Sequence, residues 1–148
     1  MEFEQALTEW VRTVPALVAI IGEPNRVRLF KLKVEQKSKM PAIVQQRAGA
    51  ERQYLSCTVD GAVRLSMQID HYARTWAEMA TLARTFREAL DPDTVQFPVW
   101  MGGAPTDSPP GAGVKVKAAM LENEFDLDDP DPGLLRRTQS WTFWIWEP

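Results

Sequence analysis

Cysteine and histidine are almost missing from this chain. Cys57 is the one cysteine and His71 the one histidine in 148 residues. A lone cysteine excludes an internal disulfide and any cysteine-based metal cluster, which suits synthesis in a reducing compartment such as the cytosol. Cys57 follows Ser56 with no Lys, Arg or His within two positions, so nothing local activates its thiol. A lone histidine leaves triad and dyad chemistry a single candidate. His71 stands beside Asp70 at the end of a strand pattern, and the chain holds no Gly-x-Ser-x-Gly elbow. Long apolar runs are lacking too. The longest is Val14 to Ile21, interrupted by Pro15, whereas a membrane helix needs about 20 residues. The opening Met-Glu-Phe-Glu-Gln is acidic, which fails as a signal n-region. Charge of one sign is also in short supply. A net charge of −3 gives no overall attraction to nucleic acid or to an anionic membrane.

Metal and phosphate chemistry find no motif. Glu122, Glu124, Asp126, Asp128, Asp129 and Asp131 supply carboxylates without an intervening base. A calcium loop read from Asp126 would need glycine at its sixth position and a carboxylate at its twelfth; the chain has Asp131 and Arg137 there. Gly102-Gly103 lacks the Gly-Lys-Ser/Thr signature of a phosphate loop. The residues therefore point to no catalytic site, no metal and no cofactor.

What is present is an ordinary globular composition, 45% hydrophobic and 25% charged. At this length one domain over residues 1–148 is expected, burying roughly 70% of the unfolded surface. Phe3, Ala6, Leu7, Trp10 and Val11 recur at helical spacing, predicting a helix near Glu2 to Arg12. Thr13 as cap, Pro15 at the first position and Gly22 as stop predict a short second helix. Asn25 to Gln36 reads as a strand or edge ribbon, with Val27, Leu29, Lys31 and Lys33 on one face and Arg28, Phe30, Leu32 and Val34 on the other. Pro41 breaks that run and Ile43 to Arg47 begins the next strand. From Gly61, Val63, Leu65, Met67 and Ile69 alternate with Arg64, Ser66, Gln68 and Asp70, as in an antiparallel strand with one face on a core. Thr75 and Glu78 form a capping-box pattern ahead of Trp76, Met79, Ala80, Ala83, Phe86, Arg87 and Leu90 at helical spacing.

Gln96 to Val114 is crowded with Pro and Gly and reads as one long loop, the kind usually functional. Lys115 to Phe125 returns to strand, Asp126 to Gly133 turns, and Arg136 to Trp146 is a last strand with Trp141, Phe143 and Ile145 on one face. The expected class is α+β: an antiparallel β-sheet with helices packed on one face, plus the long Pro/Gly-rich loop.

Two features point to assembly. Arg26, Arg28, Lys31, Lys33, Lys37 and Lys39 form a basic stretch opposed only by Glu35. It reads either as a charged edge strand that discourages aggregation, or as a contact for the acidic Glu122 to Asp131 segment of a neighbouring copy or for a phosphate backbone. Trp144 and Trp146 fall opposite the core face of the last strand, where a partner or a helix would have to cover them. Arg28, Lys31, Lys33, Glu122, Glu124, Asp126, Asp128, Asp129, Trp144 and Trp146 are the candidate interface residues.

Three stretches resemble a known family: PAIVQQRAGAE at Pro41 to Glu51, VRLSMQIDHYARTWAEMATLARTFREAL at Val63 to Leu90, and ENEFDLDDPDPGLLRRTQSWTFWIWEP from Glu122 onward. With Leu7 to Gly22 they resemble the tail completion, or tail terminator, proteins of long-tailed phages and related prophage particles. The pattern departs at Gln96 to Val114, which is longer and richer in Pro and Gly here, and Val27 to Lys39 has no position-by-position match. The resemblance implies a homo-oligomeric, typically hexameric ring on the head-proximal end of the tail tube. Such a ring would stop tube polymerisation, meet the tail tube protein and the head connector protein, and let double-stranded DNA pass without sequence-specific binding. It implies no catalytic site, a place in the virion tail, and the host cytoplasm during assembly. Gln96 to Val114 and Asp126 to Gly133 would be the loops that touch partners. The alternative is a small host-encoded binding or adaptor module, dimeric through its Trp-rich strand.

Overall fold

The computed structural model describes residues 2–23, 26–27, 29–31, 39–55, 58–102, 113–128 and 133–146. Among these described residues three helices, α1 (Phe3–Val11), α2 (Pro15–Ile21) and α3 (Trp76–Ala89), accompany eight strands: β1 (Gly22–Glu23), β2 (Arg26–Val27), β3 (Leu29–Lys31), β4 (Ala42–Leu55), β5 (Thr58–Ala73), β6 (Val99–Met101), β7 (Val114–Asp128) and β8 (Leu135–Trp146). β1 and β2 pair with each other; the other six make one sheet in the order β3-β4-β5-β8-β7-β6. Every neighbouring pair in it is antiparallel except β3 with β4. The class is α+β.

The core lies on one face of that sheet. Val63, Leu65, Met67 and Ile69 of β5 are buried there. The register sets Val63 beside Ile145, Leu65 beside Phe143 and Met67 beside Trp141. Cross-strand pairs point to the same face, so the alternation seen in each strand closes into one apolar layer. Phe3 and Leu7 of α1, Leu17 and Ile21 of α2, and Leu82 and Phe86 of α3 cover it. Phe3 and Phe143 bring their ring centroids to 4.8 Å, and Phe86 meets Trp141 edge-on at 5.9 Å. A small second cluster, Ala42, Val44 and Tyr72 with Met40 and Leu134, lies on the opposite face.

Polar groups fix α1 to β4. Gln45 Nε2 donates to the Glu4 carbonyl and to Thr8 Oγ1, each at 2.9 Å. Arg47 grips the Glu4 carboxylate through two nitrogens, at 3.0 and 2.9 Å. A forked, charge-assisted pair of this kind sets orientation as well as distance.

Several details differ from the sequence reading. Thr13 does not cap α2: Val14 holds that position, and Thr13 Oγ1 donates to the Trp10 carbonyl, closing α1 instead. Thr75 does cap α3, its oxygen accepting the Glu78 N–H at 3.2 Å, but Trp76 and Arg87 are not on the buried stripe. That stripe is Met79, Leu82, Ala83, Phe86 and Leu90, and Trp76 at the first position is 56% exposed. The Pro/Gly-rich region is not all loop, because β6 pairs Val99 to Met101 with Val114 to Val116. At its neck a side chain on Gly113 would collide with the Gly102 carbonyl, so this close approach needs glycine. β7 extends to Asp128, which places Asp126 in the strand rather than in a turn. Residues 103–112 of the predicted loop, 129–132 of the predicted turn and Cys57 lie outside the described residues.

Candidate functional site

The one histidine is sealed. His71 and Gln139 are both fully buried on the helix face, and His71 Nε2 lies 2.8 Å from Gln139 Oε1. Its tautomer follows from Trp141, whose indole N–H can only donate. That group reaches Gln139 Oε1 at 3.0 Å, which fixes the Gln139 amide with its oxygen toward both rings. The Gln139 amide nitrogen in turn donates to the Ala83 carbonyl at 3.1 Å and to Glu124 Oε2 at 2.9 Å. His71 must therefore carry its proton on Nε2. Its Nδ1 has no partner, so a second proton there would be buried with no acceptor. Burial accordingly lowers the His71 pKa from 6.5 to about 4, the bond to Gln139 opposing and the charge of Arg137 adding to the fall. A neutral ring walled in by Phe86, 5.3 Å away, is a core group. Among the described residues no three His, Cys, Asp or Glu side chains stand where they could hold a metal ion.

The same network continues into the acidic strand. A register shift between Leu121 and Asn123 turns β7 over, so that Glu124 and Asp126 follow Ala119 and Leu121 onto the helix face. Arg137 on β8 takes Asp126 at 2.7 Å and Glu124 at 3.6 Å. Arg87 from α3 reaches Glu124 at 3.5 Å. The bond to Asp126 holds the Arg137 pKa above its ordinary value. The Arg137 guanidinium also lies 5.7 Å from the Trp76 ring centroid, giving that tryptophan a cationic neighbour. Glu124 and Asp126 thus have partners within the same chain, whereas Glu122 stands exposed with no ion pair among the described residues. Asp128 and Lys31 are placed as strand ends of β7 and β3. Arg28, Lys33 and Asp129 lie outside the described residues.

Among the described residues, five of the six large apolar side chains left exposed lie on the helix-free face of the sheet. Trp146 and Trp144 point there, as their place opposite Trp141, Phe143 and Ile145 requires. Trp144 is half-buried, and Trp146 is 41% exposed with Lys117 Nζ 4.4 Å above its ring. The pairing adds residues that the sequence reading did not single out: Trp100 beside Lys115 (itself the partner of Trp146), Met120 beside Thr142, Phe125 beside Thr138, and Leu127 beside Arg136. All four are exposed, Met120 by 50%. Their signal was hidden because the two shifts in β7 break its period-2 pattern, and because Trp100 sits among prolines and glycines. Between these margins the face is polar, with Ser66, Gln68, Ser140, Thr138 and Asp70; Thr138 Oγ1 donates to Asp70 at 2.7 Å. A surface of aromatics around a polar centre is suited to contact rather than chemistry.

Comparison with known proteins matches residues 5–145 to the family described as Tail completion protein gp17. No curated protein matches the chain at a significant level. Among solved structures, a chain from the virion of a native gene transfer agent (GTA) particle superposes with a TM-score of 0.69. The alignment covers 97% of this chain and 94% of that one at 9% identity. At that identity the likeness shows the fold alone.

Proposed function

We propose, from the premise that this chain belongs to the tail completion protein gp17 family, that it caps the tail tube as an oligomeric ring, ends tube polymerisation and joins the tail to the head connector. The chain is a structural protein of the phage tail; the ring and the joining are our reading. The family match across nearly the whole chain carries it. The apolar surface supports it, since Trp100, Met120, Phe125, Leu127 and Trp146 would be costly to leave in water on a monomer. In this reading the sheet is the rigid frame, tied to its helices through Arg47–Glu4 and the Gln139 network. The tube protein and connector protein meet opposite rims of the ring, and double-stranded DNA passes through the lumen by shape, without base recognition.

Two measurements test it. Native mass spectrometry of the purified chain and of isolated tails should give a ring mass, six copies by the family's habit; a stable dimer in both would favour the adaptor reading. Deleting the gene from its phage or prophage should give tails of irregular length and heads without tails under the electron microscope. Normal, joined particles from the deletion strain would refute the proposed role.

A further inference from the structure

Two exposed patches sit at one margin of the sheet, on opposite faces, and their chemistry is complementary. On the helix-free face the register lines up Trp146, Lys115 and Trp100 across β8, β7 and β6. Trp146 is 41% and Trp100 37% exposed. Lys117 is exposed as well, with its Nζ 4.4 Å above the Trp146 ring. Neither lysine has an ion pair among the described residues. This corner is apolar and cationic at once.

The helix face carries the opposite charge. After α3 the chain turns through Asp91, Pro92 and Asp93 before it reaches β6. Leu90 on one side of the turn and Phe97 on the other pack into the helix-face core, so the turn belongs to that face. Pro92, Asp93 and Thr94 are exposed, and neither aspartate has an ion pair among the described residues. Hydrogen bonds within the turn hold its shape. The Thr94 and Val95 N–H groups donate to the Asp91 carbonyl, each at 2.9 Å, and the Asp93 N–H donates to Asp91 Oδ1 at 2.9 Å. Thr94 Oγ1 donates to the Glu88 and Asp91 carbonyls. A proline held in this way between two carboxylates loses little freedom on docking.

We propose that the Asp91–Asp93 turn of one copy docks on the Trp100–Trp146 corner of the next, with proline against indole and carboxylates against Lys115 and Lys117. This rests on the ring reading above and names its contact. Aromatic surfaces recur as the seat of proline in peptide recognition, and opposite charges around them set orientation and partner. Only Gln96, Phe97 and Pro98 stand between Val95 and β6, which keeps the turn near the margin that carries Trp100. Copies that overlap there like tiles bring unlike patches together, and a fixed rotation from tile to tile closes the overlap into a ring. Duplex DNA is the poorer match, because stacking on tryptophan needs bases splayed out of a helix and a duplex keeps them inside.

The test places cysteines across the joint in a Cys57→Ser background: Asp93→Cys with Lys117→Cys, and as control Glu78→Cys, at the far end of α3, with Lys117→Cys. Mild copper-catalysed oxidation of assembled rings or isolated tails should give a ladder of covalent multimers up to ring size for the first pair and none for the control. A ring mass with no ladder from the first pair, or with equal ladders from both, overturns this contact and leaves the ring reading standing. Absence of any ring, in solution and in tails, overturns both. Independently, Asp93→Lys or Lys117→Asp should each weaken association about tenfold, and the double variant should restore it. No restoration, with each single variant folded by circular dichroism, overturns the pairing. If Lys115→Glu and Lys117→Glu leave the ring mass unchanged but abolish retention of a duplex DNA probe, the corner belongs to the phosphate backbone and the contact between copies is overturned.

Discussion

Replacing Gln139 by leucine should cost this protein a large part of its stability, although the change makes the core more apolar. Gln139 is fully buried and uses both ends of its amide. In Gln139→Leu the Trp141 indole N–H loses its acceptor, and so does the Nε2–H of His71. His71 cannot escape by moving its proton, because Nδ1 has no partner either. The Ala83 carbonyl stands in α3, and Glu124 keeps Arg87 and Arg137, so those two groups lose less. Two buried donors left unsatisfied cost about 1–3 kcal/mol each. The total of roughly 2–6 kcal/mol stands against a whole-domain stability of about 5–15 kcal/mol. Urea unfolding followed by tryptophan fluorescence would read this as a midpoint lowered by about 1–3 M at unchanged slope. Adding His71→Leu should recover part of the loss, since it removes one of the two orphaned donors. A midpoint within about 0.2 M of the parent, or no recovery in the double variant, would show that the network is not holding α3 to β8 as described.

Other expectations follow from the same core. The His71 pKa is lowered in the fold to about 4 while the unfolded chain protonates near 6.5, so only the unfolded state binds the proton between these values. Stability from this group is full above pH 6.5 and lost as pH falls toward 4, by up to about 3 kcal/mol; unfolding midpoints measured from pH 7 to 4.5 should show that slope, and His71→Leu should remove this contribution. Phe143→Ala should destabilise by about 3–5 kcal/mol in the same urea assay, because Phe143 is fully buried between Phe3 and Trp141 and its cavity cannot collapse between a helix and the central strand.

Legibility in the sequence followed regularity. β5 was readable because Val63 to Ile69 alternates without interruption, and β8 because Trp141, Phe143 and Ile145 do the same. α3 was readable from its cap and stripe, yet Trp76 was assigned to the core on spacing alone. Spacing does not tell where the neighbouring strand ends, and at that point Arg137, not an apolar group, lies nearby. β7 was legible as a strand and illegible in its faces, because each bulge inverts the alternation that follows it. The charge reading had a related blind spot. Glu124 and Asp126 look like free carboxylates in a linear acidic run, but Arg137 lies eleven residues past Asp126 and becomes its neighbour only once β7 and β8 pair. Gln139, the hub of the polar network, gave no signal at all, since a buried glutamine is distinguished by its partners and not by its type.

The sheet order also governs when this protein can exist. β8 is the last strand in chain order, and it sits between β5 and β7 in the middle of the sheet. A ribosome that has delivered everything up to Gly133 has produced a helical hairpin's worth of local structure and two half-sheets with nothing between them. Trp141, Phe143 and Ile145, which fill the centre of the core, have not yet emerged. Such long-range closure is slow compared with local pairing, so the sheet becomes one piece only after synthesis has passed Trp146. An unfinished copy lacks the strand that joins its two half-sheets, which makes the emergence of β8 a condition of having a core at all.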